Sequence, residues 1–422
     1  MATPTIEYTF REIGLQSAAL PPVVFEAFSL PASNQRILGP PHSSDTVSPL
    51  ALRASYHGAT VPNLDGAIST VKSLQKNNTL TRKLAEHGTL LFRDLPIHNA
   101  EDFSKFSHAF GFRPHEDTGI IIDRPLIAPN VAPADEAPKE VLIYSHSESP
   151  ETPHAPKYIF LYSHRAPEIS GETPISSSIE LFQRVKDEIP DFIATVASKG
   201  ILNCVIYKVA AQYPGGSTLF EQAFSKEIVE GDDAATRKAK VEAQIRRYNR
   251  DDHTTCEWTD DDDTLIVTYH LPIVRVHPVT KQPALFTWLA AYYKSYLAPG
   301  IPDLRRRNAT QQLYGDGAPI PEEYLKKLAD ITDEIRVLHK WQRGDVLVYD
   351  NVVAQHGRQP REGEQSDRVV LASLWDGVAP ASSKEVREIG QRQSRQLQVN
   401  CRWGLRKLQW RPRLLVHASP HG

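Results

Sequence analysis

The chain has 422 residues, 40% of them apolar and 23% charged, which fits one large soluble domain or two with a sizeable core. A net charge of −3 excludes a global attraction to nucleic acid or anionic membrane, and no apolar run approaches the length of a membrane span. Cys204, Cys256 and Cys401 are too few and too scattered for a disulfide framework or a zinc ribbon. With no signal-peptide pattern after Met1-Ala2-Thr3-Pro4, they predict a cytoplasmic protein.

In chain order, residues 1–65 are rich in Pro, Ser and Ala and read as an N-terminal extension, with one short strand around Val23-Val24-Phe25. A helix carrying Leu80 and Leu84 one turn apart ends at Gly88, a residue suited to a left-handed cap. Thr89 to Arg93 follows as a buried strand. Asn99-Ala100-Glu101-Asp102 opens a helix with Phe103, Phe106 and Phe110 on one face and Gly111 as its stop. Tyr158 to Ser163 is a strand, and Ile179, Phe182 and Val185 share a helix face that ends before Pro190. A charged helical stretch over about 218–249 is expected as an insertion over the core, where lids are often built. Leu265 to Tyr269 and Val274 to His277 are strands, 321–338 is helical, and 346–350 and 369–374 are strands again. No internal repeat is present. Short strands with external helices predict a mainly β fold with α decoration, a double-stranded β-helix or jelly roll, over 66–380. From 381 to 422 the chain is basic, with Arg387 to Arg413 around Trp403 and Trp410. A solvated tail is the plain reading, and a contact for an acidic partner the sharper one.

The chemistry concentrates in His146-Ser147-Glu148 and His356. In a strand, residues two apart point the same way, so His146 and Glu148 can reach one ion. Two imidazoles and a carboxylate on one face of ferrous iron leave three positions for a bidentate keto acid and dioxygen. His356 is expected in the loop after strand 346–350. Arg368, twelve residues on, offers a planar two-donor fork for a distal carboxylate, and Thr173 in Gly171-Glu172-Thr173-Pro174 adds a hydroxyl. Tyr144 points with the ligands if its strand is regular, and Asn130 lies upstream; both are candidate substrate contacts.

Several segments together carry a family likeness. His146-Ser147-Glu148, Pro156 to Tyr162, Gly171 to Pro174, Trp341 to Leu347, and Asp350-Asn351 through His356 to Arg368 resemble the taurine dioxygenase and clavaminate synthase-like enzymes. Shorter matches include His87 to Arg93, Phe110-Gly111-Phe112, Arg124, Glu257-Trp258 and Tyr314 to Gly317, so the likeness spans roughly 80–378. It implies a dioxygenase dependent on Fe(II) and 2-oxoglutarate, with His146, Glu148 and His356 on iron. It implies Arg368 and Thr173 on the C5 carboxylate of 2-oxoglutarate. Such enzymes consume O2, release succinate and CO2, and hydroxylate, desaturate or cyclise at an unactivated C–H. A small-molecule substrate, an amino acid or natural-product intermediate, follows by analogy. At Phe286-Thr287-Trp288 relatives often carry Asn after the Phe, so the cavity wall is altered there.

Other readings have weaker support. A zinc hydrolase would have no use for the Arg368–Thr173 pair, and a non-catalytic binding protein no use for three intact ligands. His115-Glu116-Asp117 is a second His-x-acid, but in a polar loop with no strand before it. His154, His164 and His277 read as packing or surface histidines, His164 being the one that could approach the site. Arg358 could salt-bridge near the keto acid or serve a structural pair. Asp260 to Asp263 lacks the alternating spacing and central Gly of a calcium loop.

Overall fold

The computed structural model describes residues 23–56, 62–116, 125–134, 137–208, 224, 227–248, 254–259, 264–301 and 311–377. Two sheets form the jelly roll. The major sheet runs Val24–Ala27, Leu50–Ser55, Thr89–Arg93, Val346–Asp350, Tyr158–Arg165, Val369–Asp376, with Arg113–Pro114 and Ala132–Pro133 both pairing on the last of these. The minor sheet runs Val337–His339, Thr173–Ser177, Ala354–Arg358, Ile143–His146.

The central strands of the major sheet are buried on both faces, and their side chains divide with the two-residue period of a strand. Leu90, Phe92, Tyr158, Phe160, Tyr162, Val346 and Val348 pack under the helices Leu64–Lys76, Thr79–His87 and Ala100–His108. Leu91, Ile159, Leu161, Leu347 and Tyr349 point the other way, into the space between the sheets, where they meet Ile175, Val337, Trp341 and Ala354. Helices Ser178–Glu188, Pro190–Lys199 and Glu322–Ile335 cover the outer face of the minor sheet. Local signals place the helix ends: Asn63 and Asn99 accept from the amides of Gly66 and Asp102, and Gly88 closes its helix by donating to Leu84 O.

Three expectations change. Residues 23–55 are not an extension: Val24–Ala27 and Leu50–Ser55 are strands of the major sheet, and Phe25, Leu50 and Leu52 enter its core. The helix of the charged insertion, Ala234–Tyr248, reaches the jelly roll through Arg247, which pairs with Glu116 at 2.6 Å, but its apolar side packs elsewhere. Its Val241 and Ile245 pack on a separate four-stranded sheet of Thr254–Trp258, Thr264–Leu271, Ile201–Lys208 and Gln311–Tyr314. The first part of that stretch and the basic tail 381–422 lie outside the described residues. His356 is within a strand, Ala354–Arg358, rather than a loop.

A buried ion pair ties the two central strands of the major sheet. Arg93 donates Nε and Nη2 to the two oxygens of Asp345, each at 2.8 Å, and Asp345 is fully buried. Burial pushes this carboxyl up, but Arg93 and His339 outweigh it and hold it below its usual value. A lowered carboxyl stabilises the fold above its unfolded pKa of about 3.9, and that contribution is lost as pH falls through the lower folded value. Asp345→Asn leaves Arg93 without its partner and is expected to cost about 3–5 kcal/mol. The cost would appear as a lower urea midpoint, with less steepening of unfolding on the acid side. A variant with the wild-type midpoint would show that the pair is not a support of the sheet.

Candidate metal centre

The strand register builds the site. His356 and His146 are directly opposed partners across the minor sheet, so both side chains leave the same face. Ile175 opposes His356 on its other side and points into the space between the sheets, which fixes that face as the interior one. The imidazole centroids are 4.8 Å apart. Glu148, two residues past His146, brings Oε2 to 3.2 Å from His356 Nε2 and 3.9 Å from His146 Nε2. The three side chains are 11–22% exposed, so the centre is reachable but largely desolvated.

The hydrogen bonds fit a cation. His146 Nδ1 lies 2.7 Å from the carbonyl of Tyr144. A carbonyl only accepts, so Nδ1 carries a proton and Nε2 is the ring nitrogen turned toward Glu148, the one a metal ion would take. Two imidazoles and one carboxylate are the donor set of a facial triad for ferrous iron.

Glu148 stands where the strand gives way to a loop, and Asn351 holds its backbone on both sides. The Glu148 amide donates to Asn351 Oδ1 at 2.7 Å, and Asn351 Nδ2 donates to the carbonyls of Glu148 at 3.0 Å and Pro156 at 2.8 Å. Ser147, between His146 and Glu148, donates its amide to Thr287 O, and the Thr287 amide donates to Ser147 Oγ. Phe286-Thr287-Trp288 is thus held directly against the His146–Glu148 segment. In the sequence Asp350-Asn351 stands only as part of the family likeness, and nothing local marks Asn351 as the clamp on Glu148.

Thr173 and Arg368 come together as a second cradle. Thr173 is two residues before Ile175, so it faces the same interior about 7 Å along the strand from the His356 position. Its Oγ1 accepts from Trp341 Nε1 at 2.9 Å and from Arg368 Nη2 at 3.4 Å, and Arg368 Nε donates to Gly171 O. With two N–H groups already directed at that oxygen, the hydroxyl proton is left to donate to an anion. The Tyr349 hydroxyl, buried without a hydrogen-bond partner, lies within the field of Arg368.

The two expected substrate contacts do not reach the centre. Between His356 and Arg358 the partner strand spans Ile143 to His146, one residue more than its neighbour, which is a bulge. The bulge breaks the alternation that would have aimed Tyr144 with His146. Tyr144 is 3% exposed in the core outside the minor sheet, and its hydroxyl donates to Ala329 O at 2.8 Å. Asn130 occupies a left-handed turn and donates Nδ2 to Ser373 Oγ and Leu374 O, a staple on the major sheet. Arg358 donates to the carbonyls of Ala137, Pro138 and Val141 and so fastens the approach to strand Ile143–His146, the structural option. His164 follows Tyr158, Phe160 and Tyr162 in alternation, on the helix-covered side, and His277 pairs with Asp350 at 3.1 Å.

A jelly roll with two imidazoles and a carboxylate converging between its sheets defines the class of mononuclear non-haem metal oxygenases. The model of the "Taurine catabolism dioxygenase TauD, TfdA family" matches residues 53–375, and the chain belongs to that family. It is a dioxygenase dependent on Fe(II), 2-oxoglutarate and O2. A clavaminate synthase-like protein of Arabidopsis thaliana is 27% identical over 314 residues, covering 74% of this chain and 89% of that protein. The dapdiamide synthesis protein DdaC of Enterobacter agglomerans is 28% identical over 311 residues, covering 71% and 86%. Among solved structures, an asparagine oxygenase in complex with Fe(II), hydroxyasparagine and succinate is 12% identical over 74% of this chain and 83% of that one, with a TM-score of 0.42. No helix among the described residues is long and apolar enough to cross a membrane.

Two substitutions separate these roles. Asn351→Ala removes the clamp on the Glu148 backbone; with Glu148 as a candidate ligand, this is expected to weaken iron affinity about 10- to 100-fold, measured by metal retention on dialysis. Unchanged retention would show that Glu148 needs no clamp. Tyr144→Phe is expected to lower stability by about 1 kcal/mol and leave substrate KM unchanged. A raised KM would return Tyr144 to the cavity wall.

Proposed function

We propose that His146, Glu148 and His356 hold the ferrous ion and that Arg368 and Thr173 bind the C5 carboxylate of 2-oxoglutarate. The substrate is a small organic molecule with an unactivated C–H, an amino acid or a natural-product intermediate. The observation that carries the metal assignment is the convergence of His146, Glu148 and His356, one ligand atom of each lying within 4.8 Å of the others, with His146 Nδ1 held by Tyr144 O so that Nε2 faces Glu148. When bound, the ion with 2-oxoglutarate and O2 supplies the oxidising power, and the keto acid leaves as succinate and CO2.

The residues position and discriminate. Arg368 meets a carboxylate with a planar fork, and Thr173 has a proton to give it. That pairing selects a dicarboxylic keto acid over pyruvate, which has no second carboxylate to fill the cradle. The burial of Thr173, Trp341 and Tyr349 keeps water from competing for these donors. The substrate class rests on the relatives: one is described as clavaminate synthase-like and one as a dapdiamide synthesis protein, both names from specialised metabolism.

The test is an anaerobic titration with Fe(II) and then 2-oxoglutarate, followed by visible absorption. A weak charge-transfer band of the chelated keto acid is expected in wild type and absent in His146→Ala. In Arg368→Ala the band should need about 10- to 100-fold more 2-oxoglutarate, the loss of one charge-assisted pair. A band that titrates alike in wild type and Arg368→Ala would overturn the carboxylate assignment. Succinate release against a panel of amino acids and natural-product intermediates then finds the substrate, and a panel without stimulation would count against that class.

A further inference from the structure

A second set of ligand-type side chains converges away from the triad. The short strand Arg113–Pro114 pairs with the end of Val369–Asp376, and the His115 amide then donates to Leu374 O at 3.0 Å. His154 comes from the loop between Glu148 and Tyr158, whose end is fixed by the Lys157 amide on Trp375 O at 2.8 Å. Three separate segments so deliver His115, His154 and Asp376 to one place. Their side chains are 1%, 10% and 13% exposed, and one ligand atom of each lies within 4.8 Å of the others.

We propose that His115, His154 and Asp376 form a second cation site, for a borderline divalent transition ion of the Zn2+ type. Two donor atoms bound to one tetrahedral zinc ion at about 2.0–2.2 Å sit about 3.3–3.6 Å apart. His115 Nδ1, 2.7 Å from Asp376 Oδ1, is nearer than that because the two are directly hydrogen-bonded, and His154 Nε2, 3.9 Å from Asp376 Oδ2, is farther, so an ion would replace the His115 proton and draw His154 in. The triad shows 3.2 and 3.9 Å from its two imidazoles to one carboxylate oxygen, whereas here the two imidazoles face different oxygens of Asp376; its rings are 4.8 Å apart against 4.4 Å here. Among the described residues these are two groups of three such donors. Imidazole with carboxylate suits zinc, whereas calcium and magnesium ask for oxygen alone.

The plainer account is a charge cluster, because Arg113 Nη2 lies 3.0 Å from Asp376 Oδ2. Arg113 is 63% exposed, and an ion pair of that kind is worth at most about 1 kcal/mol, so it gives way to a divalent ion. His277–Asp350 and His339–Asp345 show how this fold makes a one-to-one buried histidine–carboxylate pair, with Nε2–O separations of 3.1 and 3.4 Å. At Asp376 a second imidazole is stacked on the first, 29° from parallel, and brought in by its own loop. An ion there would staple the segment that follows Glu148 to the end of the major sheet.

The experiment is equilibrium dialysis of the full-length, chelator-stripped protein against Zn2+, with metal and protein quantified. Wild type should hold two equivalents, His154→Ala one, His146→Ala one, and the double variant none. The melting temperature of His146→Ala should rise with Zn2+, and this rise should vanish in the double variant. His154→Gln, which keeps the side-chain volume, serves if the alanine variant fails to fold. One equivalent in wild type that survives His154→Ala or Gln overturns the proposal, as do two equivalents that both survive. One equivalent lost in His154→Ala but retained in His146→Ala supports this site and overturns the iron assignment instead.

Discussion

The registered pairing of strand Ala354–Arg358 between Thr173–Ser177 and Ile143–His146 governs this molecule. It puts His356 opposite His146 on one side and beside the line of Ile175 and Thr173 on the other. A slip of one residue would turn every side chain of the strand to the opposite face and remove His356 from the site. The pairing is held in place by Gly357, because a Cβ there would come within 2.4 Å of Ile143 O. The close approach accommodates the bulge, and the bulge in turn sends Tyr144 outward into the helix-packed core while His146 stays inside.

Around that strand, neutral and charged contacts divide the labour. Asn351 fixes the backbone of Glu148, Tyr144 O fixes the tautomer of His146, and Trp341 with Arg368 fixes the rotamer of Thr173. None of these groups needs to touch the reacting atoms. They set where the donors point before any ligand arrives, which is how a polar site avoids reorganising during reaction.

Much of this was legible in the sequence, and the illegible parts share physical causes. Thr89–Arg93, Tyr158–Arg165 and Val346–Asp350 are dense apolar runs because both of their faces are buried, and such runs are visible in one dimension. The strand at Val24–Ala27 showed as a short apolar run, but its place in the sheet and the strand Leu50–Ser55 were hidden by Pro- and Ser-rich surroundings and come from tertiary pairing. Ala-Gln-His-Gly-Arg has little strand propensity, so His356 read as loop until its two neighbours supplied the hydrogen bonds. The bulge at Tyr144 and the clamp by Asn351 depend on partners some two hundred residues away, which no local period reports. Thr173 and Arg368 gained their meaning from a resemblance, and the structure brings them within hydrogen-bonding distance of each other.

Val346–Asp350 and Ala354–Arg358 are consecutive in the chain, yet each inserts into the middle of a different sheet. During synthesis the flanking strands are made long before these two emerge. Until then Thr89–Arg93 and Tyr158–Arg165 present open edges, the surfaces on which unfinished β proteins aggregate. The gap in the middle of each sheet is therefore filled by a single late segment, with Val369–Asp376 still to follow on the other edge of Tyr158–Arg165. His356, the third of the proposed metal ligands, rides on that same segment, so a nascent chain carries His146 and Glu148 without it. The proposed three-residue coordination is thereby confined to chains in which both sheets have received their middle strands.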